Sequence, residues 1–126
     1  MAASDWVLDA SVAVKFFVAE PDSAAIVAKL KAQPSAARRI VPSLLRYELG
    51  SACVKRGVTS NLEPALREFF ADLEVVEPRD PARFTPALSY YDASYLALAV
   101  EQDAGLLTTD EKMRKAARKH GIEVWP

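Results

Sequence analysis

Short apolar runs alternate along this chain with longer stretches of helical period. The first run, "WVLD" (6–9), ends on a turn-prone polar residue and reads as a buried strand. In "SVAVKFFVAE" (11–20), Ala13, Phe16 and Phe17 fall at helical spacing, which leaves Lys15 and Glu20 to point outward. Pro21 stops that segment because proline lacks the backbone donor a helix needs. "DSAAIVAKLKAQ" (22–33) predicts a helix capped by Asp22 or Ser23. "RRIVP" (38–42) predicts a short strand closed by Pro42. "SLLRYELGSACVKRG" (43–57) predicts a helix with Ser43 as cap, Lys55 and Arg56 in its last turn and Gly57 at its close. "SNLEPALREFFADL" (60–73) carries Leu62, Leu66, Phe69, Phe70 and Leu73 on one stripe, with Pro64 tolerable near the first turn. "EVVEP" (74–78) predicts a third strand, and "SYYDASYLALAVEQDAG" (89–105) contains a helix. "GLLTTD" (105–110) predicts a fourth strand, "EKMRKAARKHG" (111–121) a helix and "IEVW" (122–125) a fifth strand.

Short continuous apolar strands alternating with helices predict an α/β fold, a parallel sheet covered on both faces. In such sheets the functional crevice lies at the carboxyl ends of the strands. Asp9 ends the first strand and Asp110 closes the fourth, so two carboxylates fall on that edge.

Composition narrows the class. The chain has 126 residues, which suits a single domain spanning 1–126. It is 51% hydrophobic and 26% charged, and no apolar run approaches the roughly 20 residues of a membrane span. The start, "MAASDWVLD", lacks the basic flank and apolar stretch of a signal peptide. The lone cysteine, Cys53, excludes an intrachain disulfide. These features predict a cytoplasmic protein. A net charge of −1 supplies no global positive field, so binding to nucleic acid needs local basic patches or bound cations. Arg38, Arg39, Arg46, Lys55 and Arg56 form one scattered basic group, from which Arg46 and Lys55 are candidates for substrate phosphates. Lys112, Arg114, Lys115, Arg118 and Lys119 form another, whose ordinary reading is a solvated helix face.

Two further acids join the edge. Glu48 sits mid-helix beside an apolar face, and Asp92 lies in the first turn of the most apolar helix, near the positive end of its dipole. Each acid alone has an ordinary explanation. Asp92 and Asp110 serve as helix caps, and Glu48 snorkels or pairs with Arg46 or Lys55. Asp9 is hardest to explain so, because an unpaired charge in an apolar run costs several kcal/mol or more. Together the four repel, by about 4 kcal/mol for a pair ~4 Å apart at an effective dielectric near 20. A hard divalent cation such as Mg²⁺ or Mn²⁺ suits an all-oxygen donor set. His120 and Cys53 cannot build a zinc site alone. His120 reads as a helix-end cation and Cys53 as a small buried hydrophobe.

Four segments carry a resemblance. "VLDASV", "PSLLRYELGSA", "LSYYDASYLALA" and "LLTTDEKM", in this order, resemble the four acidic motifs of PIN-domain nucleases, more narrowly the VapC-type toxins of toxin–antitoxin pairs. "EPDS" (20–23) agrees, and the resemblance runs through nearly the whole chain. It implies a three-layer α/β/α sandwich with a five-stranded parallel sheet in the order 3-2-1-4-5. It implies RNA cleavage dependent on Mg²⁺ or Mn²⁺, a homodimer, and neutralisation by a cognate VapB-like antitoxin that inserts a segment over the acidic pocket. Carried over, Asp9, Glu48, Asp92 and Asp110 are the metal-site acids, and Ser11 and Thr108 match the small hydroxyl positions beside them. Turn and cap chemistry is the alternative for both hydroxyls. One departure stands out: only Arg79 to Leu88 separates "EP" from "SYYD", where the family carries a longer helix.

Rival readings are weaker on residues. A haloacid-dehalogenase-type phosphatase needs a second acid two residues after the first, where this chain has Ser11. A phospho-acceptor receiver domain needs paired acids near the first strand and a lysine after the last. A non-catalytic PIN-like binding or regulatory module is the remaining alternative.

Overall fold

The computed structural model describes residues 3–126. Its strands are β1 Trp6–Leu8, β2 Arg39–Val41, β3 Glu74–Val75, β4 Gly105–Leu107 and β5 Val124–Trp125. They form one five-stranded sheet in the order β3-β2-β1-β4-β5, with every pairing parallel. This is the topology that the resemblance implied. Every residue of β1 and of β4 is buried, and successive side chains point to opposite faces. Both faces of the sheet centre are therefore covered, which makes three layers.

The β1–β4 register pairs Trp6 with Gly105, Val7 with Leu106 and Leu8 with Leu107. Gly105 is required by close approach: a Cβ there would lie 2.5 Å from an atom of the Trp6 ring. The next residues in chain order, Asp9 and Thr108, consequently leave the sheet side by side, and Asp9 N donates to Leu107 O at 3.0 Å.

The helices are α1 Ala10–Ala13, α2 Ser23–Lys31, α3 Leu44–Lys55, α4 Leu62–Ala71, α5 Tyr90–Glu101 and α6 Glu111–Lys119. α5 is buried from Ala93 to Ala99, as its apolar circumference requires. α3 closes on Gly57 at φ 75°, with Val58 N donating to Cys53 O and Gly57 N to Val54 O. That is a Schellman pair, and Gly121 ends α6 the same way. The α4 stripe packs on the core, and the Phe69 ring sits 5.2 Å from Phe16 and 5.4 Å from Phe17.

Several local expectations change. The segment 11–20 is a single α turn that tightens into a 3-10 turn, Val14–Phe16. Lys15 is buried rather than outward, because Asp22 at 2.8 Å and Glu20 at 3.5 Å fold back over its ammonium. Asp22 makes that pair and its side chain does not cap α2. Ser43 does not cap α3 either; its own backbone is already helical. The third strand is a two-residue exposed edge instead of the run 74–78. His120 ends α6 with its ring edge-on to Phe84 at 4.9 Å, and Cys53 is fully buried. The short 79–88 stretch holds one 3-10 turn, Pro81–Phe84, anchored by Phe84 and Leu88 in the core. No helix among the described residues is long and apolar enough to cross a membrane.

Candidate active site

The order of the sheet reverses between β1 and β4, and a crevice opens where neighbouring strands send their connections to opposite sides. Asp9 stands at that point with 5% of its surface exposed. Its backbone is extended and its Oδ1 accepts from Ala10 N at 2.7 Å, so it caps α1. Its Oδ2 accepts from Thr108 Oγ1 at 2.7 Å and from Ser11 Oγ at 2.9 Å. Burial pushes the carboxyl above the ordinary range; these three donors oppose the rise and the charge of Asp92 adds to it.

Asp110 caps α6 by accepting from Met113 N at 2.9 Å, and Asp110 N donates to Thr108 Oγ1 at 3.1 Å. One buried hydroxyl thus ties Asp9 to the start of α6. Asp92 lies in the first turn of α5 but is not its cap. Ser89 takes that place, accepting from Asp92 N at 3.1 Å. Burial raises the Asp92 carboxyl, and Asp110 adds to the rise, with Ser89 and Lys112 opposing. Glu48, half-buried on α3, accepts from Tyr95 Oη at 2.5 Å. Burial raises its carboxyl too; Tyr95 opposes, while the charges of Asp9 and Asp92 add.

The four acids therefore arrive from the end of β1, from α3, from α5 and from the start of α6, and the charge of Asp92 is felt at both Asp9 and Glu48. The donor set is all oxygen, which fits a hard divalent ion. No three His, Cys, Asp or Glu side chains among the described residues stand near enough to ligate one ion together as they lie. A magnesium-sized ion is met by one or two carboxylates and keeps several waters, so the arrangement still fits.

A family model described as PIN domain matches residues 6–119. The chain belongs to the PIN-domain family. No curated protein sequence matches it. Among solved structures, this PIN domain is similar to VapBC2 from Rickettsia felis bound to a DNA fragment from their promoter, at TM-score 0.71 and 17% identity, over 97% of this chain and 99% of that one. It is also similar to FitAcB from Neisseria gonorrhoeae, at 0.69 and 16% over 96% of each chain. PAE2754 from Pyrobaculum aerophilum matches at 0.67 and 20%, over 95% of this chain and 88% of that one.

The candidate basic residues separate in space. Lys55 lines an open groove of about 470 Å³ together with Glu48, Tyr47, Ser51, Arg56 and Tyr91. Arg46 lines a different groove and pairs with Glu63 at 2.5 Å. Arg38 is held by Glu74, and Arg39 donates to Leu30 O. The residue that motif reading missed in this PIN domain is Tyr95, the partner of Glu48. A phenol in the middle of "ASYLALA" needs a buried acceptor, and that was the available signal.

Proposed function

We propose that this protein is a metal-dependent endoribonuclease, the toxin of a type II toxin–antitoxin pair, working as one domain over residues 1–126 in the cytoplasm. The observation that carries the reading is that Asp9 stands at the reversal point of a PIN-family sheet, tied through Thr108 to the backbone of Asp110, with Asp92 in the first turn of α5 and Glu48 on α3 held by Tyr95. One or two Mg²⁺ or Mn²⁺ ions would bind among these four acids, each met by one or two carboxylates and by water. When bound, the ion would supply an activated water and offset charge on the phosphate that is attacked. Ser11 and Thr108 fix one oxygen of Asp9, leaving the carboxylate little freedom to swing from the ion. Lys55 would contact an RNA phosphate beside Glu48; Arg46 would reach RNA only by leaving Glu63. An acidic pocket repels RNA without cations, which makes cleavage and metal loading inseparable.

The resemblance of the four motifs to VapC-type toxins, with structural similarity to assemblies named VapBC2 and FitAcB, supports a cognate VapB-like antitoxin as partner. Exposed Tyr47 and Val75 line one apolar groove with Phe70 and Ala71, which supports a homodimer.

Purified protein is expected to cleave structured RNA with Mg²⁺ or Mn²⁺, and Asp9→Ala or Asp92→Ala to abolish cleavage. Full activity in excess chelator overturns the reading. A second reading, a non-catalytic PIN-like binding module, draws on the separation of the acids noted above. Calorimetric titration with Mn²⁺ beside the cleavage assay separates the two, since in that module the acids only stabilise structure and nothing is cut.

A further inference from the structure

We propose that Tyr95 is a positioning residue that holds Glu48 in place for the metal; this rests on the nuclease reading above. Tyr95 is fully buried in α5, inside a run of buried residues from Ala93 to Ala99. Its hydroxyl is the side chain's one polar atom and must find a partner in that setting. The partner it takes is not a nearby carbonyl but Glu48 Oε1, on another helix, at 2.5 Å. Glu48 Oε2 takes no hydrogen bond from the described residues. Tyr95 follows Asp92 by one helical turn, so α5 supplies one acid itself and orients a second.

Glu48 needs such a hold. Its side chain has three rotatable bonds, and its groove is open and carries Lys55 and Arg56. Those cations lie seven and eight residues further along, Lys55 at the end of α3 and Arg56 just beyond it, and offer Glu48 a solvated alternative. A rigid donor from a packed helix selects the inward position instead. Partners that orient metal-site ligands typically govern affinity by about 10- to 100-fold.

Tyr95→Phe keeps the ring and removes the donor. In RNA-free protein, its Mn²⁺ dissociation constant by calorimetry is expected to rise about 10-fold or more. Cleavage should shift to higher Mn²⁺ and recover largely at saturation, while the melting temperature in chelator stays close to wild type. In a Glu48→Gln background, adding Tyr95→Phe should change Mn²⁺ affinity little, because the phenol acts through Glu48. Unchanged Mn²⁺ affinity in Tyr95→Phe overturns the proposal, as does an equal further loss in the Glu48→Gln background. Should Tyr95→Phe not fold, Glu48→Asp draws the carboxylate back from the phenol, and wild-type Mn²⁺ affinity there overturns it. Wild-type protein that binds no Mn²⁺ and cuts no RNA overturns the nuclease reading and this one with it. Wild-type binding and cutting with an unaffected Tyr95→Phe removes only the role of Tyr95.

Discussion

Asp9 lies in an apolar run because the strand it ends must be apolar on both faces, while its carboxylate is placed where the sheet opens. Among the described residues no group of opposite charge pairs with it; hydroxyls and one backbone N–H only temper its burial. The folded-state pKa values of Asp9, Glu48 and Asp92 all lie above their unfolded values. Stability from such groups is fully present below the unfolded pKa and is lost as pH rises through the folded pKa. Asp22 has the opposite sign, since Lys15 lowers its carboxyl, but its contribution is lost only in strong acid. Protein in chelator is therefore expected to melt at a higher temperature at pH 5 than at pH 7.5. Asp9→Asn should melt above wild type at pH 7.5, by a few degrees at about 4 °C per kcal/mol, and should narrow that pH gap. Added Mn²⁺ should reverse the trend, raising the melting temperature more at pH 7.5, because only ionised carboxylates bind it. A melting curve independent of pH between these values contradicts the raised titration of these buried carboxyls. Sequence reading reached Asp9 readily, because a charge among apolar neighbours is visible one residue at a time.

Register aligns the site at the scale of elements. Leu8 opposite Leu107 brings Asp9 and Thr108 out together, and Trp6 over Gly105 holds that register. Gly105→Ala forces a methyl into the indole and is expected to destabilise by about 1–3 kcal/mol, read by chemical denaturation. Thr108→Val keeps the shape but strips Asp9 of its closest side-chain donor, at 2.7 Å, and Asp110 N of its acceptor. Its expected cost is about 1–3 kcal/mol in stability, with Mn²⁺ affinity reduced about 10-fold or more. Normal affinity in Thr108→Val would confine that hydroxyl to cap chemistry. Helices α3 to α6 were legible because period and end signals coincide there. α1 and β3 were less so: Lys15 reads as solvated until Asp22 closes over it, and β3 is defined by its neighbour Ile40 more than by its own apolarity.

For the whole molecule, a net charge of −1 leaves recognition to local features. The exposed apolar face around Tyr47 and Val75 includes the edge strand β3, and Tyr47 also lines the groove that holds Glu48 and Lys55. Val75→Lys is expected to convert a dimer to a monomer in light scattering, with the melting temperature of the metal-free protein nearly unchanged, since Val75 is already half exposed. A monomer in the wild type at every concentration tested would sink that assignment.

The sequence by itself determined the α/β class and the approximate places of most helices, and it singled out four acids as candidates, because periodicity and a charge among apolar neighbours are local properties. Strand order and hydroxyl partners depend on contacts between residues far apart in the chain. The tertiary structure alone decided that Thr108 joins Asp9 to α6, that Tyr95 takes Glu48, and that Arg46 turns to Glu63 while Lys55 shares a groove with Glu48. Each of these is a hydrogen bond or a neighbourhood across elements, and its geometry exists only once the sheet has aligned the strands and the helices have packed upon it.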